Sequence, residues 1–512
     1  MSELYYYRAP ESIEPRTLEA DICIYGGTSA GVIAAVTAAK QGKSCVILET
    51  TAHLGGLTAG GLSETDFGKQ SAIGGLSREF YRRVGREYGI EEEWHFEPKV
   101  AEKVMNDLAR ESGSQVFKRQ YLQSVAMDGQ IIKSLTTQSG LTVKARAFLD
   151  CSYEGDLMAA AGCSFHVGRE GNQVYGETIN GAQVHHTHQF DLDVSPYVIA
   201  DDPESGLLPS IEAQRPQIGV GDKRLQAYNF RLCLTNVPEN RQEWTAPEGY
   251  NRADYILLER YLLAGWPRSE ACKKFDPLRG GKCDKNNHGA VSTDYIGGNW
   301  DFPLADFARR EEIFQAHVKW QKGLMYFMAT DEAVPREIRE HYSSWGLTRD
   351  EFLDCDGWSH AIYVREGRRL VADYVVDEND CQNRKVCKDS IGLGSYNMDS
   401  HNCTRFVDER GFVRNEGDVQ KPPNPYPISY RAIVPKRGEA KNLWVPVPCS
   451  TSHIAFGSLR MEPVWMILGQ SAAIATCLAL DSKIAAQDVD YAKLKPQLEA
   501  AGQILVWKPE SH

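Results

Sequence analysis

The chain has 512 residues, is 42% hydrophobic and 25% charged, and carries a formal net charge of -12. That length exceeds one simple core, so two or three domains are expected, and the acidic balance without a long basic run argues against nucleic-acid binding. The 13 scattered cysteines form no CxxC pair, and Cys23, Cys45, Cys151 and Cys477 sit in apolar runs; this points to reduced, buried thiols and a cytoplasmic protein.

Residues 1–17 read as an arm. Met1 to Glu19 lacks a basic start and an apolar core, so neither a signal peptide nor a membrane span is expected. Ile22 to Tyr25 is a short apolar run suited to a strand buried on both faces. Gly26-Gly27-Thr28-Ser29-Ala30-Gly31 follows, then an Ala-rich run to Lys40, a turn at Gln41-Gly42-Lys43, and a second apolar run ending at Glu49. This is the strand–turn–helix–strand signature of a dinucleotide-binding unit. Gly26 allows the tight turn, and Gly31 lets the helix lie close to the strand. The opening of the helix presents amide groups and a positive dipole end to a pyrophosphate. Ala34, Ala35, Ala38 and Ala39 keep the helix slim. Glu49 stands 23 residues after Gly26, where its carboxylate and the neighbouring Thr50 reach an adenosine ribose. Thr28 occupies the place of the usual second glycine. It either donates its hydroxyl to a phosphate or holds the chain further away.

Four glycines in the seven residues from Gly55 to Gly61 permit close backbone approach to a flat or charged group; a plain flexible loop is the alternative. A helix is predicted from Gly74 through Tyr88, with Ser77 as a cap, and another from Lys99 to Ser112 with Val100, Val104 and Leu108 on one face. Gln115 to Thr137 reads as paired strands around Asp128-Gly129. Ala145 to Asp150 is a further strand, whose exit Cys151-Ser152-Tyr153-Glu154-Gly155-Asp156 feeds a helix from Leu157 to Ala161. From Gly162 to Asn286 periodicity is poor until Asp254 to Ala264, as in a separate, sheet-containing domain. His185-His186-Thr187-His188 resembles a metal cluster, but alternating histidines on a strand face opposite ways; a polar strand is favoured and no metal is expected. Asn286-Asn287-His288 and Ser292 to Trp300 have the composition of binding loops. Helices are predicted from Leu304 to Ala329 and from Pro335 to Tyr342. Tyr363 to Arg369 reads as a strand whose arginines either are solvated or order a site. Ser390 to His401 reads as a glycine-rich polar loop, Pro422 to Pro427 as a turn, and Gly457 to Leu480 as one apolar helix with Pro463 in its first turn. A short helix and tail end the chain.

The opening unit, the Gly55-Gly56 loop, Leu149 to Gly162 and Asn442 to Ala473 together resemble an FAD-dependent oxidoreductase of the glutathione-reductase-like superfamily. Asn286-Asn287-His288, Ser292-Thr293-Asp294-Tyr295-Ile296-Gly297, Tyr363-Val364-Arg365-Glu366 and Ser452-His453-Ile454-Ala455-Phe456-Gly457-Ser458-Leu459-Arg460-Met461-Glu462-Pro463 are similar to one bacterial FAD-dependent oxidoreductase family, some of whose members are described as xanthan-lyase-like. The resemblance spans residues 18–480. It implies an α/β fold: a discontinuous Rossmann-like FAD-binding domain (18–163 and 431–485) with an inserted α+β substrate domain (164–430), and 486–512 as a C-terminal helix and tail.

It also implies roles. Gly26, Gly27, Ala30 and Gly31 meet the pyrophosphate, with Thr28 and Ser29 beside them. Glu49 meets the ribose, and Leu122 offers its backbone to the adenine. Gly55, Gly56, Leu57 and Thr58 line the flavin. Arg460 and Met461 bring a helix N-terminus to the flavin O2. Two positions depart from the family pattern: Cys151-Ser152-Tyr153 replaces Ala-Thr-Gly, and Val447-Pro448 replaces Gly-Asp. Both weaken the phosphate and ribityl assignments there. His53 either attaches the flavin covalently or, as is commoner for a loop histidine, only hydrogen-bonds.

Flavin chemistry takes a hydride at N5 and needs a base. His453 is the candidate base. Asn287, His288, Tyr363, Arg365 and Arg431 are candidates to orient a polar small-molecule substrate. The leading expectation is oxidation of a polyhydroxylated, sugar-like compound. The rivals are a flavin-dependent reductase of unsaturated, carboxylate-bearing acids and a flavin-binding protein without turnover. No second glycine turn for a nicotinamide cofactor is evident. The electron acceptor and the oligomeric state stay open.

Overall fold

β1 (Arg16–Tyr25), α1 (Ser29–Lys40) and β2 (Cys45–Leu48) form the opening unit in a computed structural model that describes residues 2–11 and 14–508. Residues 1, 12 and 13 of the expected arm and 509–512 of the expected tail lie outside the described residues. Three helices follow, α2 (Gly56–Ala59), α3 (Gly75–Glu87) and α4 (Pro98–Glu111). Four more strands join the sheet: β3 (Gln115–Phe117), β4 (Leu122–Asp128), β5 (Ile131–Thr137) and β6 (Leu141–Asp150). The order is β3-β2-β1-β6-β5-β4. β1 runs parallel to β2, with Ile24 opposite Ile47, and parallel to β6, with Tyr25 opposite Asp150. Buried on both faces, β2 and the end of β1 need the continuous apolar runs seen in the sequence.

The sheet is finished from far downstream. Leu443–Trp444 adds parallel to the end of β6, and the helix Glu462–Ser482 packs across α1. Gly469 permits that crossing, since a Cβ there would stand 2.4 Å from the Ala30 carbonyl oxygen. This helix is long and apolar enough to cross a membrane, yet 94% of its apolar window is buried inside the protein; it is a core element.

The middle of the chain builds a second core. A five-stranded antiparallel sheet runs Arg241–Gln242, Gly346–Thr348, Leu232–Thr235, Lys282–Lys285 and Phe275–Leu278. The helix Phe307–Thr330 covers it, burying Phe314, Leu324 and Phe327 with Phe230, Leu232 and Leu234.

Several local expectations are corrected. Gln115–Phe117 pairs with β2 rather than with the hairpin, because Leu48 and Phe117 continue the parallel register. Ser77 lies inside α3, and its hydroxyl donates to the Pro463 carbonyl at 2.9 Å; Gly74 is the cap residue. His185–His188 is a turn, not a strand, with His188 at φ 48°. The left-handed residue breaks an extended run. Tyr363 to Gly367 forms no strand: the Val364 amide bonds back to the Ile362 carbonyl at 3.0 Å in a tight turn, and only Arg369–Leu370 joins a ladder. The glycine-rich run 390–401 holds two strands, Ser390–Gly394 and Met398–Ser400. The predicted single helix from Gly457 is two, His453–Leu459 and Glu462–Ser482. Pro463 has no N–H to bond back to the preceding turn, so the helix restarts there.

Candidate functional site

A slot opens where α1 begins. Its walls are Gly26 and Thr28 from the glycine turn, Glu49, Thr50 and Thr51 from the end of β2, Gly56, Ser152 to Glu154 from the β6 exit, and His360 to Ile362 with Val364; Tyr6 of the arm reaches it too. Gly26, at φ 100°, lets the β6 exit approach: a Cβ there would lie 2.6 Å from both Cys151 C and Ser152 N. A Cβ on Gly31 would lie 2.0 Å from the Gly26 carbonyl oxygen. Glu49 is only 6% exposed. Its two oxygens accept from the Gly27 amide at 2.6 Å and the Thr51 amide at 2.7 Å, which fixes the carboxylate beside the turn. The Thr28 hydroxyl answers the alternative left open by the sequence differently from both choices. It donates to the Cys151 carbonyl at 2.8 Å and accepts the Gly31 amide, so it caps α1 and ties it to β6. A helix opening, a fixed acid and close-packed glycines are the donor set that a diphosphate and ribose require, so the slot's chemistry fits a dinucleotide.

Glu462 was not singled out in the sequence. It lies fully inside, accepting Ser29 Oγ and Thr58 Oγ1 at 2.6 Å each and Tyr153 Oη at 2.7 Å. Tyr153 Oη also accepts the Leu57 amide at 2.9 Å. One carboxylate thus joins the openings of α1, α2 and the long C-terminal helix. An acid opening an otherwise apolar helix was the available signal. Burial raises its pKa, although the three hydroxyls oppose this.

A larger cavity, about 500 Å³, lies across the segment 360–365. Along this segment the lining alternates: Ile362 and Val364 border the slot, while Tyr363 and Arg365 border the cavity. Asp66, Arg231, Tyr396, Asp399, His401 and Arg460 line the cavity with them, as do Asn287, His288, His186 and His188. Each arginine is matched by an acid. Arg231 holds Asp284 through two bonds of 2.9 and 2.6 Å, Arg365 holds Asp294 at 3.0 Å, and Arg460 holds Asp399 at 2.6 Å while donating to Tyr363 Oη at 2.8 Å. Tyr396 donates to Asp66 at 2.9 Å.

His401 stands between two carboxylates, Nδ1 at 2.6 Å from Asp294 and Nε2 at 3.2 Å from Asp399. Burial and Arg365 work against its charge, but Asp294 and Asp399 outweigh them and its pKa lies above the ordinary value. Asp294, despite burial, is held down to about 2 by Arg365 and His401. Sequence reasoning missed this pair: only once Met398–Ser400 is a strand do Asp399 and His401, two residues apart, fall on one face.

The candidates from the sequence fall into groups. Gly26, Thr28, Glu49, Thr50, Gly56 and Ser152 line the slot. Gly27, Ser29, Ala30 and Gly31 form the turn and first helical turn, and Gly55, Leu57 and Thr58 form α2 and its cap. Leu122 opens β4, with its amide on the Tyr25 hydroxyl at 3.2 Å. Asn287, His288, Tyr363, Arg365 and Arg460 line the cavity. Met461 caps the long helix. Arg431 is not brought there: it pairs with Asp389 at a separate cavity. His453 is 1% exposed, with Nδ1 at 2.7 Å from Glu366 and Nε2 at 3.1 Å from Ser400 Oγ, and it is not among the residues of the cavity wall.

The chain is similar in part to several solved structures. THI4 of Thermovibrio ammonificans is 22% identical, over 30% of this chain and 66% of that one, with a TM-score of 0.24. L-proline dehydrogenase from P. horikoshii is 14% identical, over 30% and 59%, with a TM-score of 0.25. A 3-ketosteroid-delta4-(5alpha)-dehydrogenase from Rhodococcus jostii RHA1 is 16% identical, over 31% and 51%, with a TM-score of 0.20. The matched part therefore spans under two thirds of each of these chains. No curated protein matches. The family model for FAD dependent oxidoreductases, in contrast, matches residues 21–498, and with the slot and its acid in place the chain belongs to that family, with FAD as its cofactor.

Proposed function

We propose that this protein oxidises a polar, polyhydroxylated small molecule, sugar-like in its density of hydroxyls, held in the larger cavity. The observation that supports this is the shared wall: one segment turns Ile362 and Val364 to the cofactor slot and Tyr363 and Arg365 to a cavity lined by donors and acceptors. Bound FAD supplies a two-electron acceptor. The residues of this chain do the rest. Because Arg231, Arg365 and Arg460 are each paired with a carboxylate, the cavity offers directional hydrogen bonds without a large uncompensated positive charge. That balance favours a neutral ligand over a carboxylate, which would also face Asp66 and Asp399.

His401 is the proton-moving group in this reading. Asp294 fixes its Nδ1–H, and Nε2, more loosely held by Asp399, exchanges the proton. His453, the candidate from the sequence motif, instead positions Ser400 and Glu366 beside it.

Anaerobic mixing of flavin-loaded protein with aldoses, polyols and glycosides tests the proposal. Loss of flavin absorbance with a neutral polyhydroxylated compound supports it. Reoxidation of pre-reduced protein by fumarate-like acids, with no bleaching by any sugar, would favour the reductase reading instead.

A further inference from the structure

We propose that His53, Asp354 and Cys355 form a binding site for a divalent transition-metal ion, with Zn²⁺ best suited to the ligand set. Nothing in the oxidoreductase chemistry calls for this site. One ligand atom from each residue lies within 4.8 Å of the others. The set of imidazole, carboxylate and thiol leaves a fourth position for water, the arrangement zinc accepts.

The tautomer of His53 is the first argument. Its Nδ1 lies 2.7 Å from Glu102 Oε1. A carboxylate only accepts, so Nδ1 carries the hydrogen. That leaves Nε2, which is buried and without a hydrogen-bond partner, 3.1 Å from Asp354 Oδ2. A nitrogen lone pair and a carboxylate oxygen at that distance repel unless a proton or a metal ion lies between them. Glu102 is then the outer carboxylate that orients a metal-bound histidine.

The backbone is the second argument. Phe352 and Asp356 both adopt left-handed conformations, φ 47° and 55°, and bracket the turn that carries Asp354 and Cys355. Two non-glycine residues in that region, one of them a bulky aromatic, mark a turn held in place for its side chains. Cys355 is fully buried, and a thiol binds a metal only as thiolate, so metal binding releases a proton.

A contrast within the chain sharpens the reading. Glu97, Asp350 and Glu351 form a second cluster of ligand type, but Lys282 Nζ fills it at 2.7, 2.8 and 2.5 Å. At His53, no lysine or arginine among the described residues pairs with Asp354. The rival is an imidazolium bridging Glu102 and Asp354. That rival gives the bracketed turn no role. A metal here would clip the loop after β2 to the middle of the chain. It would also brace His360, which stacks on His53 at 3.8 Å and lines the cofactor slot.

The test uses flavin-loaded protein stripped with a chelator, then titrated with Zn²⁺ against a chromophoric competitor, with bound metal counted per chain. Wild type is expected to take one equivalent. Cys355→Ser and Asp354→Asn are expected to bind at least about tenfold more weakly, as for the loss of one ligand. Asp354 is partly exposed, so its variant decides the matter if Cys355→Ser does not fold. Wild type that takes no stoichiometric zinc, or variants that bind it as tightly as wild type, would overturn the proposal.

Discussion

Asp294 and Asp399 raise the pKa of His401, and in the proposed reaction that sets how the rate should depend on pH. As a base it works only after losing the proton that its two acids stabilise. The rate of flavin reduction should therefore rise with pH, with its midpoint above the ordinary histidine value of about 6.5. His401→Asn should lower that rate by about 10²–10⁴ and abolish the rising limb. His453→Asn should lower the rate less and keep the limb, because His453 touches Glu366 and Ser400 rather than the cavity. Stopped-flow reduction between pH 5 and 9 separates the two: a limb lost with His453→Asn and kept with His401→Asn would return the base to His453.

At the scale of the element, the helix α1 depends on a contact that has no room. A Cβ on Gly31 would meet the Gly26 carbonyl oxygen at 2.0 Å, so Gly31→Ala must push the helix off the end of β1. A loss of about 1–3 kcal/mol, typical of overpacking, is expected, together with release of FAD on gel filtration. Thermal melting at wild-type temperature with full flavin retention would contradict this. The same element shows what the sequence could carry. The β1–α1–β2 unit was legible because its turn, slim helix and acid lie within 30 residues and obey local rules. The slot's carboxylate hub was not, since Glu462 meets Ser29, Thr58 and Tyr153 only through the folded chain. Asp399 and His401 were read as loop because Gly392 and Gly394 dominate their run. The strand Met398–Ser400 exists through pairing with Val419–Lys421, a partner that no local pattern names. The family motif pointed to His453, whereas the histidine that lines the cavity, His401, follows the strand Met398–Ser400.

Over the whole molecule, buried titratable groups set a stability profile whose sign follows from which state binds more protons. Asp294 and Glu366 are each held down to about 2. Burial opposes their charge, but Arg365 and His401 prevail for the first, and His453 and Arg369 for the second. Their stabilisation is present above the ordinary carboxylate range and is lost as pH falls toward 2. Burial pushes His188 and His317 down to about 4. The unfolded chain takes up their protons first, so stability falls as pH drops from about 6.5 to about 4. Glu154 and Asp418, raised by burial to about 7, act in the opposite sense over nearly the same window. The folded chain keeps their protons while the unfolded chain releases them, and stability falls as pH rises. These two pairs offset each other. His401 adds stability below about 6.5 that is lost as pH rises through its elevated folded value. The melting temperature should thus fall above about pH 6.5 and again below about pH 4, each group contributing about 1.4 kcal/mol of stability per pH unit across its window. Scanning calorimetry from pH 2 to 9 reads this directly. His401→Asn should flatten the alkaline fall, because asparagine carries no proton to lose. A wild-type melting temperature that climbs steadily through pH 8 would mean that His401 is neutral between its two acids, and the proton it is proposed to move would not be there.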